Sequence, residues 1–126
     1  MRRLIASAVI LSLVLALCFF GVKFATNAYE IITHELRLGE EYMKKGEFGK
    51  AKKHCEKAEK LYTEREQFMA AFVNHGILDE IGQTIAGVAP LADKDTVPEF
   101  LSLCSEAKVA LAHLRNDHIF LIGNLF

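Results

Sequence analysis

From Tyr29 onward, apolar side chains recur at alternating steps of three and four residues, the spacing of one face of an α-helix. Tyr29, Ile32, Leu36, Gly39 and Met43 form the first such series. After the turn signal Lys45-Gly46 the pattern restarts as Phe48, Ala51, Cys55, Ala58, Tyr62, Arg65, Met69 and Phe72, with Arg65 its one polar interruption. This predicts a second helix of about 27 residues, for which Asn74-His75-Gly76 reads as the stop signal. A third series, Leu78, Ile81, Ile85 and Val88, contains Gly82 and Gly87 and meets Pro90, so it predicts a weaker helix ending near Ala92. Asp93 to Val97 then turns the chain, and Thr96-Val97-Pro98-Glu99 reads as a capping box with proline in the first turn. The fourth helix carries Phe100, Cys104, Ala107, Leu111, Leu114, His118, Leu121 and Leu125. No segment alternates with period two for long enough to predict a strand.

The stretch before Tyr29 follows another rule. Leu4 to Val22 is 19 residues without a charge, about enough at 1.5 Å per residue to cross roughly 30 Å of hydrocarbon. Arg2, Arg3 and the amino group precede it and Lys23 follows, a bias that favours a cytoplasmic N-terminus and an extracytoplasmic remainder. A cleaved signal peptide is the rival reading. Its apolar region is normally shorter, whereas this run carries bulky Phe19 and Phe20 near its end, and Ala25 and Ala28 do not make an A-x-A cleavage pair. The expectation is therefore an uncleaved anchor over residues 1–23 and an extracytoplasmic domain over 24–126. Cys18 follows Leu17, not the small residue that precedes a lipidated cysteine, and reads as a small hydrophobe of the membrane helix.

Short connections between successive amphipathic helices make them antiparallel neighbours. The predicted fold is all-α: an N-terminal transmembrane helix that continues, with no proline and only Gly39 between Phe24 and Lys45, into an antiparallel bundle of three to four helices. Leu38-Gly39, Tyr42, Gly46, Phe48, Ala51, Cys55 and Ala58 fall at the large and small positions of a tetratricopeptide repeat, without a second copy at that repeat's period. The segment from Leu78 aligns with that from Tyr29 at an offset of 49 residues, matching Cys55 with Cys104. Forty-nine is about seven heptads, so two three-four patterns in register agree without any duplication.

Composition fits this layout: of 126 residues, 52% are hydrophobic and 25% charged, which leaves one domain and excludes a multidomain enzyme, a polytopic transporter and a disordered polymer. Without Arg2 and Arg3 the chain holds 13 basic and 16 acidic residues, about −3 in net charge, the wrong sign for a nucleic-acid binder. Lysines nevertheless crowd the start of the second helix, with Lys50, Lys53 and Lys57 at its centre. They form a candidate patch for anionic lipid heads or wall polymers, against the simpler reading of a solvated face with pairs such as Glu56 with Lys60. Cys55 and Cys104 lie at equal depth in helices that run parallel. A disulfide requires Cα atoms within about 7 Å; a square four-helix layout denies this by placing those helices diagonally, while a three-helix or solenoid-like layout makes them neighbours and allows it, and reduced, buried thiols are the expectation. Among His34, His54, His75, His113 and His118, His34 shares a helix face with Glu30, as does His75 with Asp79 if the third helix begins early, but there is no H-E-x-x-H or paired-cysteine spacing. No nucleophile elbow, P-loop or dinucleotide fingerprint is present, so no catalytic, cofactor-binding or metal-binding residue is expected.

The short basic start and apolar anchor, Gly46-Glu47-Phe48-Gly49-Lys50-Ala51-Lys52, His75 before Ile77 to Ile81, Lys94-Asp95 before the last helix, and the ending Asn124-Leu125-Phe126 together resemble a family of small membrane-anchored bacterial proteins, domain of unknown function 4363. The resemblance covers nearly the whole chain and implies the location and the helical fold. It implies no activity and no catalytic residue. The chain meets the family's aromatic position with Phe48 and departs from it in lacking the tryptophan that often stands there, with no tryptophan anywhere.

The functional expectation is a non-enzymatic, single-pass protein of the cell membrane. It is held in the lipid bilayer by Leu4 to Val22 and uses its bundle to bind another envelope protein, with the apolar ending Ile119 to Phe126 either joining that contact or, the simpler reading, closing the core. The alternative is an extracytoplasmic, sensor-like bundle that holds a small ligand between helices and acts through a membrane partner.

Overall fold

The structure, a computed structural model, describes residues 1–71 and 73–125, and the side chains outside positions 21–22, 24–26, 72 and 117–126. Four helices carry the chain: α1 (Arg2–Lys44), α2 (Phe48–Met69), α3 (His75–Val88) and α4 (Val97–Leu125), with short 3-10 turns at Ala89–Leu91 and Lys94–Thr96. There is no strand among the described residues. Contacts join α1 to α2, α2 to α3, α3 to α4 and α4 back to α1. The bundle therefore closes on itself as a four-membered ring, with α2 and α4 across from each other.

Each predicted stripe faces this ring. Tyr29, Ile32, Leu36 and Met43 of α1, Ala51, Cys55, Ala58, Tyr62 and Met69 of α2, Leu78, Ile81, Ile85 and Val88 of α3, and Phe100, Cys104, Ala107, Leu111 and Leu114 of α4 are buried in one cluster. Arg65 is half-buried in its place in the series. Phe72, His118 and the apolar ending Ile119 to Phe126, with Leu121 and Leu125 in it, lie outside the described side chains.

Local chemistry sets the helix ends. Gly46, at φ +80°, sits in the left-handed region that glycine enters without penalty. Its N–H bonds to Met43 O (3.2 Å) while the N–H of Glu47 reaches Tyr42 O (2.9 Å), the double closure that ends a helix and reverses the chain. The expected stop at Asn74 is corrected: α2 ends at Met69, and the Asn74 side chain instead accepts from the N–H of Gly76 (2.7 Å). It starts α3, because an N-cap carboxamide satisfies a backbone donor that has no partner in the first turn. α3 ends at Val88, short of Ala92, where the chain tightens into the 3-10 turn holding Pro90. The Thr96 hydroxyl, expected to cap forward in a box with Glu99, donates backward to Leu91 O (2.8 Å) and fastens the turn between α3 and α4.

α1 and α2 approach closely at Gly39. A Cβ built there would lie 2.7 Å from Cys55 Sγ and 3.3 Å from Ala51 O, so only glycine fits. This is the small-residue contact that the repeat-like spacing of Gly39, Ala51 and Cys55 anticipates. Gly82 has a similar role in α3, where the Tyr62 ring lies 3.2 Å from the position of a Cβ and the Tyr62 hydroxyl donates to Leu78 O (2.6 Å). The glycines that weaken α3 as an isolated helix are thus sites of close packing.

Replacing Gly39 by alanine should destabilise the bundle by about 1–3 kcal/mol through overpacking. Thermal unfolding followed by circular dichroism would read this as a lower Tm, and adding Cys55→Ala should restore part of the loss by removing the sulfur that Cβ meets.

Candidate functional site

The polar feature with the most structure around it was not singled out in the sequence. Glu35, between the stripe positions Ile32 and Gly39 of α1, is the one buried charged residue among the described residues, at 6% exposure. α2 supplies its partners: His54 Nδ1 lies 2.7 Å from Oε2 and Lys57 Nζ 3.2 Å from Oε1. Burial raises the carboxyl pKa, but the hydrogen bonds from His54 and Lys57 and their charges outweigh it, and Glu35 is held below the usual carboxylate range. Glu35 is therefore an ionised acceptor, and His54 donates through Nδ1. The other face of the imidazole stacks on Tyr42, with ring centroids 5.2 Å apart and planes 11° from parallel. Above the Tyr42 ring stand Lys45 (5.8 Å) and Lys50 (5.5 Å). One turn along α1, Glu40 bonds to Lys108 of α4 and pairs with Lys44 (3.5 Å). Burial again raises and Lys108 chiefly lowers its pKa, which stays below the ordinary value.

These carboxylates act as clasps. Glu35 ties α1 to α2, Glu40 ties α1 to α4, and Glu30 meets Arg115 of α4 at 3.4 Å. The Glu30 pairing differs from the shared face with His34 considered in the sequence: His34 is exposed. His75 and Asp79 stand exposed on the first turns of α3 and His113 lines a groove between α3 and α4, while His118 lies outside the described side chains. Among the described residues no three of His, Cys, Asp and Glu gather as a metal site would require.

The basic candidates are exposed on α2. Lys57 is drawn to Glu35 and Lys50 to Glu47 (3.4 Å), so part of this positive charge is spent within the bundle. Cys55 and Cys104 are buried free thiols on opposite members of the ring, each set against α1: Cys55 at Gly39, and Cys104 with its Sγ 3.4 Å from Leu36 O. Burial, with the nearby Cys104 and Glu56, pushes the Cys55 thiol up to about 12. Burial and Glu40 push Cys104 to about 11. Since the thiolate is the nucleophile, both are suppressed as reactive groups.

Grooves open between neighbouring helices of the bundle, two of them with acidic groups. One, of about 220 Å³, has Ile77, Ile81, Ala110 and Leu114 between Glu80 and Glu106 on α3 and α4. The other, of about 260 Å³, lies between α2 and α3 with Glu59, Glu66 and Asp79 at its edge. The family described as domain of unknown function (DUF4363) matches residues 19–125. The chain belongs to that family. No curated protein and no solved structure matches it. The matched region begins at residue 19, within the apolar N-terminal segment, and takes in every clasp described above.

The Glu35 clasp carries a pH dependence of defined sign. A carboxylate with a depressed folded-state pKa contributes stability above its unfolded pKa, near 4.5, and loses it as pH falls through the folded value. Glu35→Gln should lower stability by about 1–3 kcal/mol at neutral pH, and its unfolding curve should converge with that of the native protein in acid. In the folded protein at pH 8, iodoacetamide should leave Cys55 and Cys104 unmodified, and both should react once the bundle is unfolded; peptide mass spectrometry reads the two states.

Proposed function

We propose that this DUF4363 protein is a single-pass membrane protein with its N-terminus in the cytoplasm, and that its bundle is a non-enzymatic interaction module for another protein of the envelope. The observation that carries this reading is the unbroken helix α1. Arg2–Phe20 is long and apolar enough to cross a membrane and has none of its surface buried against the rest of the chain. The same helix then supplies Tyr29, Ile32, Leu36 and Met43 to the core. A span that is also a core helix delivers force or position to the bundle without a flexible joint, as suits a module that holds a membrane partner at a fixed height.

Two further features support an interaction module over a ligand-binding sensor. The interior of the ring is lined by apolar side chains packed on one another, and the grooves with polar groups open outward between neighbouring helices. The negative balance of the region beyond the anchor speaks against nucleic acid.

Two measurements on native membranes test this. The protein should stay with the membrane through alkaline carbonate extraction at the mass of the uncleaved chain; release as a shorter soluble form would replace the anchor with a signal peptide. Crosslinking with mass spectrometry should return a reproducible membrane-protein partner, and the absence of one across replicates would remove the interaction role.

A further inference from the structure

Resting on that anchor reading, we propose that the end of the bundle nearest the span lies in the head-group layer of the same bilayer, with the α2–α3 turn as a second lipid contact. The register of the helices places it there. Glu35 faces His54 across α1 and α2. Met69 lies fifteen residues beyond His54 and Phe20 fifteen before Glu35, and because antiparallel helices share one rise per residue, the end of α2 comes level with Phe20. Glu30 faces Arg115 across α1 and α4. Leu125 lies ten residues beyond Arg115 and Phe20 ten before Glu30, so the end of α4 arrives at the same level. Phe20 stands in the last turn of the apolar run Leu4 to Val22.

The chain's polarity changes at that level. The far end of the bundle carries Lys44, Lys45 and Glu47 at one turn and Asp93, Lys94 and Asp95 at the other, as turns in water do. At the near end there is no Asp, Glu, Lys or Arg from Gln67 to Leu78, and none from His118 to Phe126. Phe68 (38%), Ile77 (49%) and Ala71 are exposed there. Apolar and aromatic groups at a helix end standing on a span match the head-group boundary, where amphipathic rings settle. The stem of exposed Lys23, on α1 at this level, can lie along the apolar boundary while its ammonium stays among the head groups. The bilayer is thus the occupant that register, charge distribution and continuity with the span select.

The chain has no tryptophan, which makes single-tryptophan variants direct reporters of depth. Phe68→Trp and Ala71→Trp, each in the full-length protein, would be reconstituted into phosphatidylcholine and phosphatidylglycerol vesicles brominated near the top of the acyl chains. Lys94→Trp at the far end is the reference, and circular dichroism checks each fold. The expected result is blue-shifted emission and a roughly twofold loss of fluorescence at positions 68 and 71, with neither change at 94. An inserted, folded protein in which 68 and 71 are quenched no more than 94 overturns this proposal and leaves the anchor standing; a blue shift without quenching does so too, by showing that protein covers the turn. A chain that carbonate strips from the vesicles overturns the anchor and the proposal together.

Discussion

The arrangement of the bundle depends on how near α1 comes to α2 at Gly39. With no side chain at that position, Cys55 Sγ and the backbone of Ala51 occupy the space a Cβ would need. That proximity brings Glu35 within reach of both His54 and Lys57 and sets Tyr42 against the His54 ring. On the neighbouring side, α4 lies close enough for Cys104 to reach Leu36 O and for Lys108 to reach Glu40. α1 is thus bounded by a dense small-residue seam on one flank and by charged clasps on both.

The clasps and the stripes do different work. Burial of the apolar stripes is tolerant of sliding, since a three-four pattern displaced by a heptad still presents hydrophobes to its neighbour. A buried carboxylate is not tolerant, because leaving its two donors would strand an uncompensated charge away from water. Glu35 with His54 and Lys57, and Glu40 with Lys108, therefore act as register marks on a core that hydrophobicity alone leaves underdetermined. The Tyr62 hydroxyl bonded to Leu78 O performs the same service between α2 and α3.

The helices were legible in the sequence because periodicity reports local geometry, and every stripe from Tyr29 to Leu114 whose side chains are described turns inward or sits half-buried, as Phe48 and Arg65 do. The helix boundaries were less so. Asn74 reads equally as an end or a beginning until its carboxamide is seen to accept from Gly76, and Thr96 has a carbonyl behind it, at Leu91, that the pattern Thr-x-x-Glu does not reveal. The clasp at Glu35 was hidden for a deeper reason: its partners lie nineteen and twenty-two positions away on another helix, and the lysine-rich start of α2 looked like a solvated face until α1 was laid beside it. The stripes alone leave Cys55 and Cys104 either diagonal or adjacent, and it is the closure of four helices into a ring that makes them diagonal.

The unbroken course of α1 from Arg2 to Lys44 also fixes an angle. An α-helix advances about 100° of rotation per residue, so the direction in which α2, α3 and α4 stand around the apolar N-terminal segment is set by the number of residues between Phe20 and Tyr29. Lengthening or shortening that interval by a single residue would swing the whole ring by about 100° around the axis of α1. The bundle thus has a compass bearing relative to the faces of its own apolar segment.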